Sequence, residues 1–298
     1  MRSRSGSEAQ LQFDLIDTDR DFAAYKLLIL PETIPVDDAF ATKLQRYVEA
    51  GGALIASHRS GLTPDGARFA GDLLGVTLKG EAPYSPDFLV PGGGFADDLP
   101  RTAHVMYQRG LEVVPASDAT VLAEVQAPHF NRTWRHFCSH RHAPSSGHVE
   151  YPGIVQRGRT IYFAHPIFSQ YQANAPRWCR KLLEAAIDRL LPTRLVRVAG
   201  PTTLLTAMNH QPRRNRYVLH LLHYVPERRG EAFDIVEDVI PLHELSVQLN
   251  PGTNITANVV SVSLEPEGEA LSFDADDGAL SFTVPRLDGH AMVAIALR

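Results

Sequence analysis

Short apolar runs alternate with segments of helical periodicity along the first 192 residues. The runs Leu11–Ile16, Lys26–Leu30 and Ala53–Ala56 predict strands, and the second is apolar without alternation, as a strand covered on both faces should be. A helix is predicted over Val36–Ala50, where apolar residues recur at three- and four-residue steps and Gly51-Gly52 follows. This strand–helix–strand order predicts a parallel sheet built from crossover connections.

Weaker patterns continue this half of the chain up to Pro192. A short helix is predicted around Phe69–Leu74, and a surface loop over the Pro- and Gly-rich stretch Gly80–Gly94. The remaining elements are short strands, a hairpin and one strong amphipathic helix, which in chain order are His104–Tyr107, Leu111–Val114, Thr120–Gln126, the hairpin Gly153–Gln156 with Thr160–Ala164, and the helix Ala175–Leu191.

The start of the predicted sheet lacks an element. The stretch before Leu11 is polar, and the link from Ile16 to Lys26 is too short for a crossover helix of about a dozen residues. The sequence therefore predicts an N-terminally incomplete sheet. Either the sheet begins abnormally or the chain begins partway through a larger one.

After Pro192 the pattern changes to short β-type runs separated by turn clusters. Seven runs rich in Val, Ile, Thr and Leu alternate with clusters such as Asn250-Pro-Gly252 and Asp276-Asp-Gly278. Strands at this spacing predict an antiparallel β-sandwich. The predicted organisation is therefore an α/β domain over residues 1–192 and an all-β sandwich over residues 193–298.

Composition narrows the class of protein. The chain has 298 residues, of which 44% are apolar and 21% charged, enough for a sizeable core in about two domains. A net charge of −5 gives no drive toward nucleic acid or an anionic membrane, and no apolar run approaches the ~20 residues of a membrane span. Two cysteines and the lack of a secretory signal predict a cytoplasmic chain with no nucleic-acid or membrane partner.

The most unusual segment is residues 128–166, which holds six of the thirteen histidines. His136, Cys138, His140 and His142 alternate, so an extended backbone would place all four on one face. Two-residue steps do not match the usual zinc spacings, so a packed aromatic and polar patch is favoured, and no metal or cofactor is predicted. The alternative is a saccharide or anion subsite, whose candidate ligand-binding residues are Arg132, Trp134, His136, His140, His142 and His165.

Several longer stretches resemble a known family. YKLLILP (Tyr25–Pro31) followed by YVEAGGALIASHRSG (Tyr47–Gly61) resembles the β-galactosidase trimerisation domain, a flavodoxin-like relative of class I glutamine amidotransferases that has lost its nucleophile. FNRTWRHFCSHRHAP (Phe130–Pro144), YPGIVQRGRTIYFAHPIF (Tyr151–Phe168) and HLLHYVPERRG (His220–Gly230) are similar to the C-terminal half of bacterial glycoside hydrolases of the α-L-fucosidase group.

The resemblance implies a flavodoxin-like first domain and a supporting function. In such proteins a catalytic (β/α)₈ barrel precedes this region, so no catalytic residue is carried over onto this chain. The expected function is a non-catalytic oligomerisation and accessory region of a glycoside hydrolase. The expected partners are further copies of the chain, with a trimer as one candidate, and a saccharide. In a full enzyme the α/β domain would also line the active site of a neighbouring subunit.

Two other functions stay open at this point. A stand-alone hydrolase would use Ser57 and His58, which follow the strand Ala53–Ala56 where related enzymes carry a nucleophile, or the His-rich segment 129–165. The G-x-S-x-G pattern is missing there, and the adjacent acid pairs, such as Asp37-Asp38, lie mostly in cap or turn positions rather than as an acid/base dyad. A carbohydrate-binding module centred on the sandwich is the third possibility.

Overall fold

The computed structural model describes residues 7–298, which divide into two compact units. The first spans Ile16–Pro192, and the second combines Thr193–Arg298 with residues 7–15. The predicted first domain began at residue 1, whereas the structure places residues 7–15 in the second unit. The prediction of a strand over Leu11–Ile16 is wrong. This segment has no strand conformation, and Gln12 is held by hydrogen bonds of its side chain to the strand Leu204–Gln211.

The first unit is built on a mixed seven-stranded sheet with the order β1-β2-β9-β8-β7-β4-β5. A separate two-stranded sheet pairs β3 with β6. The strands are β1 (Leu27–Leu30), β2 (Ala53–Ser57), β3 (Val76–Glu81), β4 (Asp87–Pro91), β5 (His104–Met106), β6 (Leu111–Pro115), β7 (Thr120–Pro128), β8 (Ser145–Arg157) and β9 (Thr160–Phe163).

The pairing of these strands corrects the prediction of a parallel sheet, because the sheet is mixed. β1, β2 and β9 run parallel, whereas β9-β8, β8-β7, β7-β4 and β4-β5 are antiparallel. β8 and β9 are joined by a two-residue turn, and so short a connection allows only an antiparallel pair. The stretch Gly80–Gly94, expected to be a loop, likewise contains β4, which pairs with strands on both sides.

Within residues 16–192, three helices accompany the sheet: α1 (Asp38–Glu49), α2 (Ile167–Asn174) and α3 (Arg177–Leu190). The Asp37 side chain accepts a hydrogen bond from the Phe40 amide at 2.8 Å and so caps α1. The predicted helix around Phe69–Leu74 is instead a series of turns, with Phe69 in an isolated bridge to Leu62. No helix in residues 7–298 is long and apolar enough to cross a bilayer.

The central strand of the parallel group forms the middle of the first core. Every residue of β2 is buried, and the four residues of β9 beside it are buried as well. Strands covered on both faces read as continuous apolar runs, which is why ALIAS and TIYF lack alternation. The carboxyl ends of β1, β2 and β9 therefore meet at one edge, where the chain leaves the core.

The second unit consists mainly of two antiparallel sheets that share one apolar core. The four-stranded sheet has the order β10-β15-β19-β18 and the five-stranded sheet β11-β12-β20-β16-β17. The strands are β10 (Val196–Val198), β11 (Leu204–Gln211), β12 (Arg216–His223), β13 (Glu227–Arg228), β14 (Asp234–Ile235), β15 (Leu242–Leu249), β16 (Val259–Glu265), β17 (Glu269–Leu271), β18 (Phe273–Asp276), β19 (Ala279–Leu287) and β20 (His290–Leu297). One short helix, α4 (Thr253–Thr256), precedes β16.

Residues 7–15 bind to an edge strand of each sheet. The Gln10 side chain donates to the Val198 carbonyl at 3.0 Å and accepts from the Val198 amide at 2.8 Å on β10. Gln12 donates to the Thr206 carbonyl at 3.2 Å and accepts from the Met208 amide at 2.8 Å on β11. Each glutamine amide thus replaces a neighbouring strand at an otherwise open edge.

Candidate functional site

An exposed loop connects β7 to β8 and carries most of the predicted ligand-binding residues. Its ends are joined by the His129 amide, which donates to the Pro144 carbonyl at 3.1 Å. Within the loop, the Thr133 amide donates to the His136 carbonyl at 2.7 Å, and the Cys138 thiol lies 3.4 Å from the His142 carbonyl. We call residues 129–144 the β7–β8 loop.

The tip of the β7–β8 loop presents aromatic and cationic groups to solvent. Trp134 is 81% exposed and Phe137 is 73% exposed, which is unusual for side chains of this size. The Arg135 guanidinium lies 4.6 Å from the centre of the Trp134 ring, and the Arg132 guanidinium donates to the Arg141 carbonyl at 2.8 Å. The tip therefore offers a stacking face beside hydrogen-bond donors, which is the chemistry of a saccharide subsite.

The alternating residues of this loop do not share one face. The backbone between Phe130 and Pro144 is irregular, so the expectation of a strand-like face is wrong. His136 and His140 are exposed, whereas the His142 ring is half-buried in edge contacts with Phe88 and Tyr107, at centroid distances of 5.6 and 5.5 Å. His142 therefore anchors the loop rather than facing a ligand with the others.

The last predicted ligand residue, His165, lies in a buried polar cluster away from solvent. His165 Nε2 is 2.8 Å from Asp87 Oδ1, and the Tyr151 hydroxyl donates to Asp87 Oδ2 at 2.6 Å. Burial, followed by the charge of Asp87, raises the pKa of Tyr151, so this phenol stays protonated and donates. Gly110 approaches closely, because a Cβ atom there would lie 2.8 Å from His165 Nε2.

A second buried carboxylate, Glu32, lies at the carboxyl end of β1. It adopts a left-handed φ of 58° and accepts hydrogen bonds from the Ser169 amide, at 2.6 Å, and from the Ser169 hydroxyl. Glu32, Asp87 and Tyr151 were not predicted from the sequence. The available signal was an acid beside each apolar run, Glu32 after LLILP and Asp87 before FLV, where a charge is costly unless it is paired.

The turn after β2 is the place where a nucleophile was considered. Ser57 is fully buried, and its hydroxyl accepts a hydrogen bond from the Glu32 amide at 3.0 Å, so it is held within the fold. His58 has a left-handed φ of 52°, and its carbonyl accepts from the Tyr162 hydroxyl at 2.7 Å. Burial, then Arg59 and His165, lower the pKa of His58 to about 4. The turn is sharp and strained, but it presents no hydroxyl to a substrate.

The buried cysteine and the possible metal ligands also show no arrangement for catalysis. Cys179 is buried on α3, and burial, with a smaller effect of Glu32, raises the pKa of its thiol to about 12, far from a reactive thiolate. Within residues 7–298, no three His, Cys, Asp or Glu side chains come close enough to hold a metal ion. The geometry therefore favours binding at the β7–β8 loop over catalysis at the sheet edge.

Comparison with known proteins identifies the type of domain. Residues 4–79 match the family model of the β-galactosidase trimerisation domain. Among curated proteins, none matches the chain. The family resemblance stated from the sequence motifs is confirmed by this match and by the solved structures below.

Three solved glycoside hydrolases share the fold. The α-L-fucosidase isoenzyme 2 from Paenibacillus thiaminolyticus is 35% identical with a TM-score of 0.93, over 99% of this chain and 44% of that one. A GH42 β-galactosidase from G. stearothermophilus is 15% identical with a TM-score of 0.60, over 100% of this chain and 35% of that one. The β-galactosidase from Rahnella sp. R3 is 14% identical with a TM-score of 0.59, over 98% of this chain and 36% of that one. The chain thus spans less than half the length of each relative.

Proposed function

We propose that this chain is a non-catalytic oligomerisation and accessory region of a glycoside hydrolase of the β-galactosidase or α-L-fucosidase type. The observation that carries the proposal is the 35% identity at a TM-score of 0.93 to part of an α-L-fucosidase, joined to the trimerisation-domain match over residues 4–79. Because the chain corresponds to only 44% of that enzyme, the sugar-cleaving groups are assigned to the remainder.

The internal chemistry supports a non-catalytic assignment. Glycosidases need two carboxylates that flank one bond, about 5–10 Å apart. Among residues 7–298 the buried carboxylates are Glu32 and Asp87, and both are occupied, Glu32 by Ser169 and Asp87 by His165 and Tyr151. Groups held in this way stabilise a fold and are not available to protonate a leaving group.

The first unit is proposed to be a flavodoxin-like, class I amidotransferase-like domain. The parallel strands β1, β2 and β9 and the helix α1 between the first two support this proposal. The buried Ser57 fits a relative that has lost its nucleophile. The chain is also proposed to act in the cytoplasm, as its cysteine content predicts.

The β7–β8 loop is proposed as the accessory contact with saccharide in the assembled enzyme. Its candidate residues are now Arg132, Trp134, His136 and His140, because His142 and His165 are engaged within the fold. The exposed Trp134 ring with the neighbouring guanidinium groups supports this assignment over a site on the second unit. On the second unit, Tyr217 stacks on His210 and Phe282 is buried in the core. Phe233 there is 62% exposed, less than Trp134 at 81%.

Two measurements test the assembly role. Light scattering on the full chain at micromolar concentration is expected to give the mass of a homo-oligomer, with a trimer as the first candidate. A strict monomer contradicts the oligomerisation role.

A second measurement tests the non-catalytic assignment: on a panel of nitrophenyl glycosides and esters we expect no turnover. Turnover that disappears in His58→Ala or His140→Ala would instead support the stand-alone hydrolase.

A further inference from the structure

The outer face of the five-stranded sheet in the second unit brings together side chains with metal-binding chemistry. His220 lies on β12 and faces Met292 on β20 in the antiparallel register, and His290 stands two positions before Met292. Alternate residues of a strand share a face, so these three side chains lie on the same side of the sheet. It is the outer side, because the adjacent Leu221 and Val293 belong to the core.

The two imidazoles already have a separation that suits a shared metal ion. His220 Nδ1 and His290 Nε2 are 3.2 Å apart, and the rings lie within 10° of parallel. Two nitrogen ligands at about 2.0–2.1 Å from a tetrahedral ion are about 3.3 Å apart. Both rings are partly exposed, so rotation about χ2 can turn both lone pairs toward one ion.

The available third donor decides which metal is favoured. Residues 7–298 place no third His, Cys, Asp or Glu beside these imidazoles. Glu265, which faces Met292 from β16, accepts a hydrogen bond from the Ser263 hydroxyl at 3.0 Å. Met292 lies opposite His220 and two positions from His290, so its thioether is the third donor on the two strands that carry the rings. Thioether sulfur is a soft ligand that selects Cu(I), whereas a harder ion gains little from it.

We infer that His220, His290 and Met292 form a copper(I)-binding site on the outer face of the five-stranded sheet. The site uses two nitrogens and one sulfur from two adjacent strands, and it lies entirely within one unit. No step of the inference depends on the proposed glycosidase role.

The test is an anaerobic titration of the full chain with tetrakis(acetonitrile)copper(I) in competition with bicinchoninate. Every sample carries Cys138→Ser, since the loop thiol is a second soft ligand that would bind Cu(I) elsewhere. We expect one competitor-resistant copper per chain. The changes His220→Ala, His290→Ala and Met292→Leu are each expected to weaken binding about tenfold or more.

Matched variants separate the site from nonspecific binding. His210→Ala removes a histidine on neighbouring β11 that stacks on Tyr217, and Met208→Leu removes a methionine packed on the core, and neither should change the affinity. Circular dichroism confirms that each variant is folded. A chain that releases all its copper to bicinchoninate, or a Met292→Leu variant that binds copper as tightly as its parent, overturns the inference. If zinc is retained as tightly as copper and Met292→Leu changes neither, a two-histidine site replaces it.

Discussion

Two groups of histidines that are close in sequence have opposite surroundings. His136 and His140 lie on the exposed tip of the β7–β8 loop, whereas His142 packs between two aromatic rings and His165 pairs with a buried aspartate. The sequence shows one His-rich segment, but the fold divides it into a surface that can bind a ligand and two positions that stabilise the unit. The difference teaches that histidines clustered in sequence share an environment only where the fold leaves them on one surface.

The same contrast explains why chemistry resembling an active site need not be catalytic. The sheet edge contains two buried carboxylates, histidines and a strained turn, which are features of active sites. Each of its buried acids is satisfied internally, and Ser57 is closed to solvent. The exposed loop has none of these acids, yet its tip offers groups that an external partner can reach.

The largest expected effect comes from removing the central acid of the buried cluster. Asp87→Ala leaves His165 Nε2 and the Tyr151 hydroxyl without their shared partner, and breaking a buried pair of this kind costs about 3–5 kcal/mol. Urea denaturation followed by circular dichroism measures the loss. Asp97→Ala, which removes an exposed acid that contacts Arg101, is the control and should cost under about 0.5 kcal/mol. Equal losses in the two variants would remove the distinction between the two regions.

A smaller effect is expected from pH. The pKa of His58 in the folded chain is lowered to about 4, so the unfolded chain takes up a proton first as the pH falls below about 6.5. The contribution of His58 to stability is therefore complete above pH 6.5 and is lost as the pH falls toward 4. It amounts to about 1–2 kcal/mol once solvent screening is allowed for.

The control for the pH effect keeps the backbone and removes the titration. His58→Asn places a residue that tolerates a left-handed φ at the same position, so the turn is preserved. The free energy of unfolding, measured by urea between pH 4 and 7, should vary with pH about 1–2 kcal/mol less in this variant. Parallel curves for the variant and the parent would place the pH dependence elsewhere.

The next effect compares two histidines of one loop. His142→Ala removes a ring that contacts Phe88 and Tyr107, and we expect it to destabilise the chain by about 1–2 kcal/mol. His140→Ala removes an exposed ring and should change stability by no more than about 0.5 kcal/mol. Thermal unfolding of both variants under one buffer decides the comparison. A greater loss for His140→Ala would mean that the roles of the two rings are reversed.

Local periodicity predicted the elements that a contiguous run of apolar positions defines. β1, β2, α1, the β8–β9 hairpin, α3 and the β-rich second half were predicted because each is a contiguous pattern of apolar positions. The helix α2 was missed; it ends at Asn174, just before the predicted helix Ala175–Leu191, and the left-handed Ala175 separates it from α3. The antiparallel half of the sheet depends on pairings between distant strands. The buried cluster could not be predicted, since Asp87 is 64 residues from Tyr151 and 78 from His165.

The smallest stability effect is expected where the functional effect should be largest. Trp134→Ala removes a ring that is 81% exposed, so the free energy of unfolding should change by no more than about 0.5 kcal/mol. If the β7–β8 loop contacts saccharide, chemical shifts of the Trp134 indole N–H should move on addition of fucose or galactose, and Trp134→Ala should abolish the shifts of its loop neighbours. Trp178→Phe is the matched control, because Trp178 stacks on His104 and lies on α3, outside the β7–β8 loop, so its loss should leave those shifts intact. A Trp134→Ala chain that binds both sugars as its parent does would move the saccharide contact off this loop, while the buried cluster would keep its structural role. The two regions can therefore be tested separately.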